Sequence, residues 1–201
     1  MTEIKLLLTS DGFATNPNLG QKFLELVGKD NPKVLYVPTA ANVENDKSYT
    51  ELTKRNLEKL GCEVVNFDLN ISPSFFPSGR IDAVIVEGGN TFYLLSRFRE
   101  TKSGKRIAGM VAKGEIIYVG ISAGSIIMGK DISVASPFDE NKGYVIDTTG
   151  LRYTDRIISP HFQRKEAKII LDYEQKTGNK VTRLCDGQAL LINGKLEEII
   201  Q

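Results

Sequence analysis

The sequence predicts an α/β fold, a three-layer α/β/α sandwich around a mostly parallel sheet with antiparallel strands at its C-terminal end. Three observations predict it. Short runs rich in Val and Ile lack the polar alternation of a half-exposed strand, so they read as strands buried on both faces. These runs alternate with longer segments whose apolar residues recur at helical spacing. The C-terminal segment then changes to strand runs placed around Asp186-Gly187 and Asn193-Gly194, both hairpin turn signals. With 201 residues and no linker rich in Gly, Ser or Pro, the chain reads as a single domain over 1–201.

Taken in order, Ile4 to Thr9 is the first strand, and Leu19 to Gly28 a helix with Phe23, Leu24, Leu26 and Val27 toward one face. Lys33 to Val37 is the second strand, stopped by Pro38. Asp46 to Leu60 carries a helical stripe of Tyr49, Leu52, Leu57 and Leu60, and Gly61 ends it before the strand Glu63 to Phe67. After a turn-rich connection, Ile81 to Val86 runs into Glu87-Gly88-Gly89-Asn90-Thr91. A short helix from Thr91 and a second over Lys105 to Lys113 lead to the strand Glu115 to Val119. The pattern weakens from Asp131 to Asp155, Arg156 to Ser159 reads as a strand end, and Gln163 to Lys176 is the last long helix. Lys180 to Cys185 and Gln188 to Ile200 are expected to close the sheet with antiparallel strands.

The bulk properties restrict the function. Twenty-six basic and twenty-five acidic residues leave a net charge of +1, which gives no basic footprint for nucleic acid. The apolar run of Met1 to Thr9 is too short for a signal-peptide core, and no stretch reaches the ~18 apolar residues of a membrane span. A cytoplasmic protein is expected. Cys62 and Cys185 are far apart and lack Cys-x-x-Cys spacing, so both read as reduced. One histidine, His161, cannot furnish the usual multi-histidine metal sites. Neither Gly-x-Gly-x-x-Gly nor a P-loop is present, so no cofactor or metal is expected. A homodimer is compatible with the sequence but is not specified by it.

The chemistry-bearing motif is Gly120-Ile121-Ser122-Ala123-Gly124, directly after the buried run Ile116 to Val119. Gly-x-Ser-x-Gly between a strand and a helix is a nucleophile elbow, whose sharp turn leaves no room for bulky neighbours. The bare pattern arises by chance in about one chain in fifteen of this length, so the strand before it matters. A serine hydroxyl needs a base, and His161 in Ser159-Pro160-His161-Phe162 is the only histidine available. Backbone donors for an oxyanion are expected from Ala123 and from the Gly88-Gly89 turn.

Three segments, Val86-Glu87-Gly88-Gly89-Asn90-Thr91-Phe92, Gly120-Ile121-Ser122-Ala123-Gly124 and Pro160-His161-Phe162, resemble the marker segments of the peptidase E family, which includes cyanophycinase. The similarity in order and spacing spans most of the chain. It implies a fold like that of class I glutamine amidotransferase domains. It also implies a serine peptidase, with Ser122 as nucleophile and His161 as base, cleaving short peptides after an N-terminal aspartate. In the aspartyl dipeptidases of the family an Asp follows the nucleophile by fifteen positions, where this sequence has Pro137. Asp139 is the nearest replacement as orienting acid, with Asp147 and Asp155 as alternatives, and Arg152 and Arg164 are candidates to receive a substrate carboxylate. Glu87 has no assigned role. The competing readings are a non-catalytic ligand-binding module with an incomplete triad, and an esterase or amidase on a non-peptide substrate. The blander ones are an anion-binding turn at Ser122 and a capping imidazole at His161.

Overall fold

The computed structural model describes residues 3–201; the part of the leader reading that rests on Met1 and Thr2 lies outside them. A seven-stranded sheet organises the molecule, built from β1 (Lys5–Thr9), β2 (Lys33–Val37), β3 (Glu63–Asn66), β4 (Ala83–Val86), β5 (Ile117–Ile121), β8 (Ala189–Asn193) and β9 (Leu196–Ile200). Their order is β3-β2-β4-β5-β1-β8-β9. The first five in that row are mutually parallel; β8 pairs antiparallel with β1, and β9 antiparallel with β8. The predicted class and the antiparallel closure are both present.

Side chains of consecutive strand residues alternate between two buried layers. On one face Leu7, Tyr36, Ile85 and Val119 pack with Leu19 and Phe23 of helix α1 (Pro17–Val27) and Leu57 of α2 (Ser48–Lys59). On the other, Leu6, Leu8, Val84 and Tyr118 pack with residues of α3 (Thr91–Glu100), α4 (Lys102–Ala112), α5 (Ala123–Ile126) and α6 (Ala167–Thr177). The ends of these helices follow the local chemistry. Asn16 caps α1 through its side chain ahead of Pro17, and Gly28, with φ of 63°, closes it. Asn90 caps α3 by accepting from Tyr93 N–H, and the Thr101 side chain caps α4 by accepting from Gly104 N–H.

One predicted pairing is corrected. The run Lys180 to Cys185 does not join the main sheet as an antiparallel strand; β7 (Val181–Arg183) pairs in parallel with β6 (Ile157–Ser159) in a separate two-stranded sheet. Asp186-Gly187 therefore turns the chain from the small sheet to β8 and is not a hairpin between paired strands. The reason is the long helix α6 between β6 and β7, a crossover connection of the kind that joins parallel neighbours. Asn193-Gly194 does form the β8–β9 hairpin.

Leu8 sits fully buried at the centre of the sheet, between β5 and β8. Leu8→Ala is expected to lower stability by about 3 kcal/mol through lost burial and a residual cavity. For a domain of this size that shifts the melting temperature down by about 6–12 °C, measurable by differential scanning calorimetry.

Candidate active site

The loops that follow four parallel strands meet at the carboxyl edge of the sheet, where open α/β sheets place their ligands. Asp11 follows β1, Glu44 to Asp46 follow β2, Glu87 to Gly89 follow β4, and Ser122 follows β5; all border a cavity of about 590 Å³. A second cavity of about 140 Å³ lies on the other side of the same elbow, and Gly89, Ser122, Asp139 and His161 border both.

Ser122 has φ of 50° and ψ of −111°, a strained backbone for a residue with a Cβ, and it immediately precedes helix α5. Neighbouring contacts explain both glycines. A Cβ on Gly120 would lie 2.6 Å from the Gly124 carbonyl carbon, and a Cβ on Gly124 would collide with the Val86 carbonyl oxygen. Thr9 holds the turn from the adjacent strand. Its carbonyl accepts from Ser122 N–H (3.1 Å) and Ser125 Oγ (2.7 Å), and its hydroxyl donates to the Gly120 carbonyl (2.8 Å). The buried Tyr118 hydroxyl donates to the Gly124 carbonyl (2.7 Å).

The expected donors are modified in one respect. Gly88 N–H donates to Glu87 Oε1 at 2.8 Å, so its amide is already occupied. Among the described residues, Gly89 N–H and Ala123 N–H have no protein acceptor. Gly88 matters for another reason: a Cβ there would stand 3.1 Å from Ser122 Cβ and 3.7 Å from its Oγ. Gly89 takes φ of 131°, a conformation open to glycine, and a Cβ there would strike the Ala40 carbonyl.

His161 follows β6, not a strand of the main sheet, yet it reaches the same two cavities as Ser122. Its φ is 55°, and its amide donates to Ser10 Oγ at 2.7 Å. Asp186 Oδ1 stands 2.7 Å from His161 Nδ1 and accepts from Ser10 Oγ at 2.8 Å. The acid beside the imidazole is thus Asp186. Asp139 instead accepts from Thr91 N–H at 2.9 Å, at the start of α3. Asp147 pairs with Arg99 at 3.4 Å, Asp155 is exposed, and none of Asp147, Asp155, Arg152 and Arg164 borders either cavity. Asp186 was hidden because Asp-Gly after a strand carries the same signal whether it makes a turn, holds a histidine or does both.

Glu87 is 1% exposed and receives hydrogen bonds from Tyr36 Oη (2.7 Å) and Gly88 N–H. Burial pushes its carboxyl above the usual carboxylate range, and burial does the same to Asp139. Tyr49, on the same wall, is pushed up to about 12 by burial and by Glu87. Among the described residues no group of three or more His, Cys, Asp or Glu side chains is arranged to hold a metal ion. No helix among them is long and apolar enough to cross a membrane.

The model of peptidase family S51 matches residues 6–200, which take in every element of this site. The chain belongs to the S51, or peptidase E, family. An uncharacterised peptidase of Listeria innocua is 31% identical over 177 residues, 83% of this chain and 82% of that protein. A peptidase E of a Nostoc species is 29% identical over 168 residues, 79% of this chain and 65% of its own. A solved structure of a Listeria monocytogenes EGD-e protein, provisionally named a peptidase E, superposes with a TM-score of 0.80 at 26% identity, covering 100% of this chain and 99% of that one. A peptidase from an acI-B1 actinobacterium shares the fold, with a TM-score of 0.67 at 18% identity over 98% of this chain and 87% of that one. The S51 member described here is accordingly a peptidase with an α/β fold.

The raised carboxyl of Glu87 has a signed consequence for stability. The folded state holds that proton above the ordinary Glu value of ~4.3, so the group's contribution is full below that pH and is lost as pH rises through the folded value. Asp139 acts in the same sense. Glu87→Gln is expected to flatten the loss of stability between about pH 4 and neutrality, and adding Asp139→Asn to flatten it further. Thermal melts of the three proteins at pH 4 to 8 check this; parallel curves would contradict it.

Proposed function

We propose that the protein is a serine peptidase that hydrolyses short peptides through an acyl-serine intermediate, with Ser122 as nucleophile and His161 as general base. The observation that carries this reading is the convergence of a strained elbow serine and a carboxylate-held imidazole on the same pair of cavities.

In the proposed reaction Ser122 Oγ attacks the peptide carbonyl while its proton passes to His161 Nε2. Asp186, 2.7 Å from Nδ1, fixes the ring so that Nε2 is free to accept. Charge on the carbonyl oxygen is received by the unoccupied amides of Gly89 and Ala123, where one such donor is worth about 3 kcal/mol of transition-state stabilisation. Collapse breaks the C–N bond, the imidazolium gives its proton to the leaving amine, and the acyl-serine remains. Water then attacks the ester, His161 takes its proton, and collapse returns Ser122 and the free acid. The order Ser122, His161, Asp186 along the chain is no obstacle, since triads are defined by geometry and not by sequence order.

Ser122→Ala is expected to abolish turnover of short peptides and labelling by a serine-directed phosphonate. Asp186→Asn is expected to lower kcat by at least 10²-fold and up to about 10⁴-fold, and Asp139→Asn by less than tenfold. Steady-state kinetics on the three purified variants decide the matter. Undiminished turnover in Ser122→Ala, or a larger loss from Asp139→Asn than from Asp186→Asn, would sink the assignment.

A further inference from the structure

The larger cavity beside Ser122 is lined by five acidic residues, Asp11, Glu44, Asp46, Glu87 and Asp139, and among the described residues no Lys or Arg borders it. Lys142, which pairs with Glu44 on this wall (3.3 Å), also donates to the Val43 carbonyl (2.9 Å). Gly187 N–H occupies one oxygen of Asp11, and Ser48 N–H one of Asp46. Glu87 and Asp139 have only uncharged hydrogen-bond donors. Tyr49 Oη, on the same wall, is buried with no partner.

The smaller cavity has apolar residues on its wall, among them Ile126, Val134, Phe138 and Ile158, together with the acidic Asp139 and Glu166. Thr91, a residue 1% exposed, also borders it, and its Oγ1 has no hydrogen-bond partner. Two compartments therefore flank one elbow, the larger carrying more carboxyls, and each is bordered by a residue whose buried hydroxyl has no hydrogen-bond partner.

We propose that this cleft selects positive charge: the larger compartment takes an α-ammonium or basic side chain on one side of the scissile bond, and the smaller takes a compact apolar side chain on the other. The inference rests on the serine-peptidase reading and names its substrate class. A cation entering the larger compartment supplies the buried Glu87 carboxyl with a counter-charge, where the protein gives it only uncharged donors, and so favours its ionised form. An aspartyl side chain there would be a sixth carboxyl among five, without a single guanidinium or ammonium on the wall to receive it. Where the carboxyl contacted is at least partly buried, as those of Glu44, Glu87 and Asp139 are, one such contact is worth about tenfold or more in affinity, and salt weakens it less than it would a surface pair.

The test uses dipeptides and short peptides with Arg, Ala or Asp on either side of the cleaved bond. In the wild-type protein kcat/KM for the best Arg peptide is expected to exceed that of its Asp counterpart by at least tenfold, at low salt. Asp46→Asn combined with Asp139→Asn is expected to reduce the Arg-to-Ala ratio about tenfold. In parallel, titration calorimetry on Ser122→Ala reads binding of Arg-Ala, Ala-Arg, Asp-Ala and Ala-Asp without turnover. Tighter binding of an Arg peptide with no wild-type cleavage of any peptide would uphold the charge preference and overturn the peptidase mechanism. Cleavage with equal or better use of Asp peptides would leave the mechanism standing and overturn this inference, as would the absence of binding by every dipeptide.

Discussion

The structure depends on the fit of Thr9 against the turn at Ser122. A residue with a Cβ at positive φ is costly, and it persists where surrounding contacts over-determine it. Thr9 supplies several of those contacts: its carbonyl holds Ser122 N–H and Ser125 Oγ, and its hydroxyl holds the Gly120 carbonyl and accepts from Gly12 N–H. Thr9 and the neighbouring strand are fully buried, so water does not compete for these bonds. Parallel pairing of Thr9 with Ile121 sets the register that makes the contacts possible. The backbone of β1 is thus both a central strand and the anvil on which the elbow is bent.

The same strand end also reaches the imidazole. Ser10, one residue beyond Thr9, accepts His161 N–H and donates to Asp186. His161 and Asp186 come from the small β6–β7 sheet and its exit turn, outside the main sheet. The Ser10 bonds, together with Ser10 N–H on the Gln188 carbonyl and Gly187 N–H on Asp11, tie that unit to β1. His161 and Asp186 are each about half exposed, 49% and 47%, so their mutual attraction is screened and contributes little to stability. Its value lies in ring orientation, and the tie to Ser10 is what makes orientation hold.

How much of this was legible in the sequence follows from how local each signal is. The elbow was readable because its cause is local: a sharp turn demands Gly120 and Gly124 within five residues, directly after a buried strand. The parallel strands were readable because double burial writes a continuous apolar run. The pairing of β7 was not, since Val181 to Arg183 looks the same in a hairpin as in a crossover, and only three-dimensional closure decides. Asp186 escaped for a related reason. Its partner lies 25 residues earlier, and the spacing is set by α6 and the small sheet, not by any local rule. Asp139 attracted attention because it stands nearest in sequence to Pro137, where the family's aspartyl dipeptidases have Asp, but the chain after α5 delivers it to the α3 N-terminus, where it accepts from Thr91 N–H.

Glu87 shows why a costly group can sit at the heart of such a site. A nearly fully buried carboxyl with no cationic partner lowers stability at neutral pH, and an apolar residue of similar size would avoid that cost. Its geometry gives the compensation. By accepting Gly88 N–H, Glu87 fixes the Glu87–Gly88 peptide, one residue before the Gly89 amide, while Tyr36 Oη, from the adjacent strand β2, fixes Glu87 in turn. The turn that carries the free Gly89 amide is therefore braced before it by these two hydrogen bonds and after it by Asn90 N–H on the Ala40 carbonyl. A donor aimed in advance costs no reorganisation when charge develops on a bound carbonyl, whereas a glycine pair without such a brace would be free to turn its amides to solvent. The stability forgone at Glu87 and the brace on the Gly88 end of the turn are two consequences of the same buried carboxyl.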